Sequence, residues 1–291
     1  MKKVEVSIIL STKNFNEIEN LEENFKNSEV NYEVIAVGPS KKSSQNSKFK
    51  YIQSYTKPVQ CLEIAKNSAN GEWIIIWSDD MFFENINQDN LRKLITYSNN
   101  KPNSLISCRL INEINKNTDS YRYNPSNLST PILPFAAPIK KDVTEKIGFY
   151  DKNFIATFAD LDLYLRLMSE GYIVEFSDIN IIEKHKSKYS LNSDYHYIDR
   201  KTLNKFWLES INLGQIKRKF EFSSFEESQL NIPQGPRGRW IYNNSFYFNY
   251  CLRVYFKIIN DLLKYYKIKK FTYIFFKKIQ INAKKFFFHF F

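Results

Sequence analysis

The stretch of residues 71–81 constrains the fold of this chain more than any other part of the sequence. Residues 73–77 are five consecutive apolar side chains, β-branched at the centre and aromatic at both ends, which is typical of a strand buried on both faces. Such strands belong to α/β sheets, where ligands bind beyond the carboxyl ends of the strands. Asp79 and Asp80 follow directly, and an acidic pair there can hold a divalent cation and, through it, phosphate. The alternative is that one acid caps a helix starting near Asn87.

Hydrophobic spacing predicts alternating strands and helices on both sides of this stretch. The predicted strands cover residues 4–10, 32–37, 49–52, 104–111, 173–176 and 181–185. The predicted helices carry Ile18, Leu21 and Phe25, cover 59–69, carry Leu91, Leu94 and Ile95, and cover 158–167 and 199–213. This alternation predicts an α/β fold with a doubly wound, mostly parallel sheet.

Composition excludes several functional classes. Seven glycines form neither a G-x-G-x-x-G motif nor a P-loop. Three scattered cysteines indicate neither a disulfide framework nor a zinc site, which favours a reducing, cytoplasmic compartment. The N-terminal residues have a charge within their apolar run, so we expect neither a signal peptide nor a membrane span there.

The net charge of +11 is concentrated in the C-terminal tail. Residues 246–291 contain ten Lys or Arg and one acid, which leaves only about +2 for the rest of the chain. We therefore expect no nucleic-acid partner. Basic amphipathic helices rich in aromatic residues bind anionic membrane surfaces, and the alternative is a helix packed on the catalytic domain with solvated lysines.

Four segments, in this order, resemble the nucleotide-sugar-dependent glycosyltransferases of family 2, which have the GT-A (Rossmann-like) fold. They are VSIILSTKN (6–14), AKNSANGEWI (65–74), SDD (78–80), and the stretch from GFYD (148–151) through DLDL (160–163) to GY (171–172). The resemblance covers roughly residues 4–186.

The resemblance implies a metal-assisted donor site. Asp80 would bind Mn²⁺ or Mg²⁺, and Asp79 would lie near the ribose or share the ion. Ser11, Thr12 and Asn14 would line the nucleoside pocket. A bound cation stabilises the departing diphosphate as a Lewis acid.

Two further positions match the family less firmly. Lys57 would lie near the base or phosphates, and the alternative is a solvated loop lysine. His185 would be a further metal or diphosphate ligand, and the alternative is a surface or packing residue. Gly38 stands in a segment where the family commonly has aspartates, one of which contacts the base, so the bound nucleotide stays open.

The reaction also needs a base, because the acceptor hydroxyl loses a proton as it attacks. Asp160 is the candidate that the resemblance implies, although Ala159 stands where the family usually has a second acid. Asp162 is the alternative, but its spacing from Arg166 is that of a helix ion pair.

The predicted organisation has three parts. Residues 1–190 form the GT-A catalytic domain, with a nucleotide-sugar half (about 1–111) and an acceptor half (about 112–190). Residues 191–240 form a helical acceptor or lid region, and residues 241–291 form a basic, aromatic C-terminal extension.

The expected function is inverting transfer of a sugar from a nucleotide-diphosphate donor to a glycan or lipid-linked acceptor, in the cytoplasm or at the inner face of the cell membrane. One alternative is a nucleotidyltransferase of similar fold. The other is a catalytically degenerate assembly partner, which Ala159 and Gly38 favour.

Overall fold

The computed structural model describes residues 3–13, 15, 18, 21–40, 46–112, 121–122, 132–184 and 193–212. All of them belong to the first of two compact units, Met1–Tyr242 and Asn243–Phe291. Asn14, His185 and the basic tail lie outside the described residues, so their roles stay predictions.

The described strands and helices alternate along most of the chain. In order they are β1 (Val6–Ser11), α1 (Leu21–Phe25), β2 (Tyr32–Gly38), β3 (Phe49–Gln53), α2 (Pro58–Asn67), β4 (Trp73–Ile76), β5 (Met81–Phe83), α3 (Asn90–Asn100), β6 (Ser104–Asn112), β7 (Tyr121–Arg122), β8 (Ile132–Leu133), β9 (Ile139–Lys140), α4 (Lys141–Ile147), α5 (Ala159–Ser169), β10 (Ile173–Glu183) and α6 (Ser193–Asn212). None of the described helices has the length and apolar character needed to cross a membrane.

The main sheet confirms the predicted α/β class. Strands β3, β2, β1 and β4 lie side by side in that order and are parallel, and β9 pairs antiparallel with β4 at the edge. The chain runs from β1 outward to β2 and β3, then returns to place β4 on the other side of β1. The strand order therefore reverses between β1 and β4, which is where ligands bind in open α/β sheets.

The central strands are buried on both faces. Ile8 and Ile75 belong to the apolar cluster that contains residues of α1 and α3, whereas Ile9 and Ile74 belong to the cluster that contains residues of α2 and α5. Alternate side chains of a strand point to opposite faces, so each strand contributes to both layers. This explains why the strand before Asp79 has apolar residues in succession.

A second sheet, with the order β5-β10-β6, contains one strand where the sequence predicts two. The predicted strands at 173–176 and 181–185 are joined in β10, which pairs with β6 on both sides of a register shift between Phe176 and Asn180. The prediction of two separate strands was wrong, because the polar residues between them shift the pairing without ending the strand.

Several element boundaries differ from the predictions. Helix α1 begins at Leu21, so Ile18 lies before it and is buried in the same cluster. Helix α3 is capped by Asp89, whose carboxylate accepts from the N–H of Arg92 at 2.9 Å. The alternative in which Asp79 or Asp80 caps this helix is therefore wrong. Helix α6 begins at Ser193, six residues before the predicted start.

Candidate active site

The ends of β1 and β4 are joined by a hydrogen bond between side chains. Thr12 follows β1 and is only 3% exposed. Its hydroxyl donates to the Asp79 carboxylate at 2.7 Å, and its N–H donates to the carbonyl of Val37 at 3.0 Å. The predicted donor residues of the two strands thus meet where the strand order reverses.

Asp80 is held through both its side chain and its backbone. The Ser78 hydroxyl donates to the Asp80 carboxylate, and the N–H of Lys184 donates to the Asp80 carbonyl at 2.8 Å. Lys184 directly follows β10, whose last residue, Glu183, pairs with Met81 of β5. The second sheet therefore fixes the loop that carries both acids, which are half-buried.

Gly38 has a packing explanation. A Cβ atom at this position would lie 1.8 Å from the carbonyl oxygen of Thr12, far closer than two such atoms can approach. The end of β2 must therefore be glycine for Thr12 to keep its position. A base contact from a side chain at position 38 is excluded, so the absence of an aspartate there reflects close packing of the strand ends.

A cavity of about 340 Å³ lies between these strand ends and the start of α5. Ser11 and Ser78 contribute from the strand ends, and Asp160 contributes from α5. Asp79 and Asp80 adjoin Ser78 without lining the cavity themselves. The remaining described lining residues are largely apolar or aromatic and include Phe135, Tyr150, Phe158, Tyr164 and Glu183.

Asp160, the predicted base, lies in the first turn of α5. Its side chain is exposed where it lines the cavity, while the surrounding protein limits the water that reaches it. Desolvation by the protein packed around it raises the pKa of the carboxyl above its ordinary value, and the N–H groups of Leu161 and of Asp160 itself partly oppose the shift. A carboxyl of raised pKa binds a proton more readily, as a general base must.

The charge of Asp160 affects the pKa of two nearby tyrosines. Burial is the main cause that raises the pKa of both Tyr150 and Tyr164, and the Asp160 carboxylate raises each further. Both hydroxyls therefore stay protonated at neutral pH and can donate hydrogen bonds in the cavity. They lie within the motifs that resemble family 2, but nothing in their spacing identified them.

Asp162, the alternative base, has a structural role. Its side chain is fully buried, and its carboxylate accepts from Arg166 Nε at 3.0 Å and from Trp207 Nε1 at 2.8 Å. The Arg166 guanidinium also donates to the carbonyls of Ile147 and Gly148. The predicted Asp162–Arg166 ion pair is confirmed, and among the acids of α5 only Asp160 lines the cavity.

Lys57 is buried at the N-terminus of α2, so the alternative of a solvated loop lysine is wrong. Its ammonium donates to the carbonyl of Lys152. Burial lowers its pKa to about 8, although the charges of Asp199 and Asp151 act in the opposite direction. Lys57 is not among the described residues that line the cavity, and its contact with donor stays a prediction.

The acids after β4 fit a hard cation by their chemistry. Adjacent carboxylates supply oxygen donors of the kind that Mg²⁺ and Mn²⁺ prefer. The Asp79 carboxylate accepts a hydrogen bond from the Thr12 hydroxyl, and the Asp80 carboxylate accepts one from the Ser78 hydroxyl. Both carboxylates are therefore oriented. The described residues contain no cluster of three or more His, Cys, Asp or Glu suited to a metal. A cation held by Asp79 and Asp80 would therefore need further ligands, such as phosphate oxygens.

Comparison with known proteins gives only partial structural similarity. No protein-family model matches this chain, and no curated protein matches its sequence. Solved structures with partial similarity include S. aureus TarS residues 1–349, at 12% identity and a TM-score of 0.46 over 60% of each chain. The same TarS region with UDP-GlcNAc has 13% identity and a TM-score of 0.48, over 75% of this chain and 68% of that chain. Its complex with UDP has 15% identity and a TM-score of 0.44.

Proposed function

We propose that this protein is a glycosyltransferase that moves a sugar from a nucleotide-diphosphate donor to a hydroxyl acceptor. The observation that carries the proposal is that Ser11 and Ser78 from the strand ends line the same cavity as Asp160 from α5. Its volume of about 340 Å³ is within the roughly 300–1,000 Å³ typical of small-molecule sites. A donor sugar in this cavity would have the acidic loop near its diphosphate and a carboxylate near its acceptor.

The strand ends would bind the donor. Ser11, Thr12 and Asn14 are proposed to contact the nucleoside, and Lys57 to contact the base or phosphates. Asp79 and Asp80 are proposed to hold Mn²⁺ or Mg²⁺, with His185 as a further ligand, and the bound cation would neutralise charge on the diphosphate. The hydrogen bonds from Thr12 and Ser78 keep the two carboxylates oriented before donor binds.

Asp160 is proposed to take the proton from the acceptor hydroxyl. In a single displacement the hydroxyl attacks the anomeric carbon from the side opposite the leaving diphosphate, so the product has inverted stereochemistry. The raised pKa of Asp160 brings its basicity closer to neutral pH, where a general base is more effective. Tyr150 and Tyr164 line the same cavity and would donate hydrogen bonds to sugar hydroxyls.

A donor-cleavage assay tests this proposal. The full chain is incubated with Mn²⁺ and a panel of nucleotide sugars, including the UDP-GlcNAc bound in one TarS structure, and release of nucleoside diphosphate is measured. We expect slow donor hydrolysis that disappears without the cation. Asp80→Asn should weaken donor binding, and Asp160→Asn should lower the rate by about 10²–10⁴-fold while donor still binds.

Asp89→Asn is the matched control, since Asp89 is also a carboxylate that accepts from backbone N–H groups but caps α3 and does not line the cavity. It should leave hydrolysis unchanged. Consumption of nucleoside triphosphates without cleavage of any nucleotide sugar would instead identify a nucleotidyltransferase. Donor binding without cleavage in the presence of every acceptor tried would support the degenerate assembly partner.

The acceptor is proposed to be a surface glycan or a lipid-linked precursor, with the basic segment 246–291 on an anionic membrane. Its ten basic residues and one acid support this. Liposome flotation with the full chain and with a chain lacking 246–291 tests the proposal. Equal flotation of the two forms would contradict it.

A further inference from the structure

The segment that leads into α5 forms part of the cavity wall. Ala156, Thr157 and Phe158 all line the cavity, together with Asp160 two residues further on. The position of the proposed base therefore depends on how the backbone of residues 155–158 is held. These residues are not part of a helix or a strand, so their N–H groups have no regular ladder partners.

A carboxylate from α6 accepts hydrogen bonds from the backbone of this segment. Asp199 is fully buried, and its two oxygens accept from the N–H groups of Ile155, Ala156 and Thr157, each at 2.8 Å. The Thr157 hydroxyl donates to the same carboxylate at 3.2 Å. Hydrogen bonds to an ionised acceptor are roughly twice as strong as neutral ones, so one side chain fixes three successive residues.

The backbone that follows is in an unfavourable conformation. Phe158 has a φ of 62°, in the left-handed region that residues with a side chain rarely adopt. It is the N-cap residue directly before α5, and its side chain makes no capping hydrogen bond. Such conformations persist only where the surrounding structure holds them. Here the surroundings are Asp199 on one side and α2 on the other, where the N–H of Val59 donates to the carbonyl of Ile155 at 3.1 Å.

A second contact links α6 to α5. Trp207 is 1% exposed, and its indole N–H donates to Asp162 at 2.8 Å. Asp162 lies two residues after Asp160 in the same helical turn. Helix α6 thus holds the start of α5 both before and after the proposed base.

We propose that Asp199 is a positioning residue for sugar transfer, which sets the place of Asp160 through the backbone of residues 155–158, with Trp207 assisting through Asp162. This inference rests on the proposed function. Asp199 has no direct contact with substrate in this role. The donor residues Ser11, Thr12, Asp79 and Asp80 belong to the ends of β1 and β4. The charge of Asp199 also acts on Lys57, a proposed donor contact, so the effect of Asp199 on the acceptor side is measured in a Lys57→Met background.

Asp199→Asn tests this role. An asparagine has the same shape, but its amide NH₂ would face backbone N–H groups and leave part of the set without an acceptor. Because small displacements of reacting groups can cost about 10²-fold in rate, we expect kcat for donor cleavage to fall by about 10–100-fold. The dissociation constant of the non-reacting nucleoside diphosphate, measured by titration in a Lys57→Met background, should change by less than about twofold, as expected for a loss confined to the transition state.

The matched control is again Asp89→Asn. Asp89 accepts from the N–H groups of Arg92 and Glu29, at 2.9 and 2.8 Å, and from the Ser28 hydroxyl, so the substitution removes the same kind of interaction away from the cavity. It should lower the unfolding midpoint without lowering kcat. Hydrogen exchange should become faster at residues 155–158 in Asp199→Asn and stay unchanged there in Asp89→Asn.

The outcomes separate this inference from the proposed function. If the unsubstituted chain cleaves donor and Asp199→Asn retains kcat, or loses donor affinity in parallel, the positioning role is overturned. If Asp199→Asn does not fold, Trp207→Phe replaces it. That variant removes the indole N–H together with one ring of the side chain, and an unchanged kcat would likewise overturn the role. A chain that binds and cleaves no nucleotide sugar overturns the proposed function itself.

Discussion

Replacement of Arg166 by methionine tests how the protein supports the start of α5. Arg166 is 2% exposed and pairs with the fully buried Asp162 at 3.0 Å. It also donates to the carbonyls of Ile147 and Gly148, at 2.8 and 2.7 Å, and to that of Phe149. Methionine fills much of the same volume but provides no charge and no donor.

The expected loss follows from the charge that remains. Removal of one partner of a buried ion pair typically costs about 3–5 kcal/mol, because the other charge stays buried without compensation. For a unit of this size, that corresponds to a decrease in the unfolding midpoint of roughly 6–20 °C. Thermal and urea unfolding of the full chain, followed by circular dichroism, measures both quantities.

A double variant isolates the charge from the lost volume. In Arg166→Met with Asp162→Asn the buried charge is gone, and the asparagine oxygen can still accept from Trp207 Nε1, which lies 2.8 Å from the present carboxylate. We expect it to recover at least about 1 kcal/mol relative to Arg166→Met alone. A double variant less stable than the single one would refute the reasoning.

Lys93→Met is the surface control. Its ammonium lies 2.5 Å from Asp178, but the two side chains are 35% and 62% exposed, so the loss should stay below about 1 kcal/mol. If Lys93→Met and Arg166→Met cost the same, burial does not determine the strength of the pair.

Three further predictions concern the cavity and its surroundings. Gly38→Ala should lower the free energy of unfolding by about 1–3 kcal/mol or more through overpacking, because the new Cβ would lie 1.8 Å from the Thr12 carbonyl oxygen. Scanning fluorimetry should show a lower unfolding midpoint, and donor titration should show weaker binding. An unchanged midpoint would contradict the close contact. Desolvation raises the pKa of Asp160, so kcat/KM should increase with pH up to that raised value. A pH–rate profile whose acid limb matches an ordinary aspartate would argue against Asp160 as base. Burial lowers the pKa of Lys57 to about 8 from its ordinary 10.5, so between these values Lys57 binds fewer protons in the folded chain than in the unfolded one, and its contribution to stability should rise with pH. The buried thiols of Cys61 and Cys108 have raised pKa values and act in the opposite direction. The rise is therefore measured by urea unfolding from about pH 7.5 to 10 as the difference in the free energy of unfolding between the unsubstituted chain and Lys57→Met.

The strands were the elements that local sequence patterns predicted best. The apolar run before Asp79 predicted a strand buried on both faces, and Ile74 and Ile75 indeed pack into opposite layers. Boundaries were less accessible where neighbouring elements decide them. In β10 the polar residues after Phe176 resemble a loop, yet pairing with β6 on either side keeps the strand continuous.

The candidate site divides in the same way. Thr12, Asp79 and Asp160 were predicted because they lie in short motifs at strand and helix ends, and their roles stay predictions. Glu183 was missed, although it lines the cavity, because the sequence predicted a strand that continued past it to residue 185. In the sequence, Gly38 favoured a loss of function because the family commonly has aspartates in this segment. The close approach of the Thr12 carbonyl oxygen explains the glycine instead.

The sequence by itself determined the α/β class and the alternation of strands and helices that predicts a mostly parallel sheet. It also determined which residues are proposed for donor binding and for the base. Each of these depends on side chains within a few positions of one another. The tertiary structure alone decided which strand ends meet, which acid of α5 lines the cavity and which is buried in an ion pair. It also decided that Asp199, more than forty residues from Ile155, holds the segment before the proposed base. Such contacts arise from packing between distant elements, and no local pattern of residues encodes them.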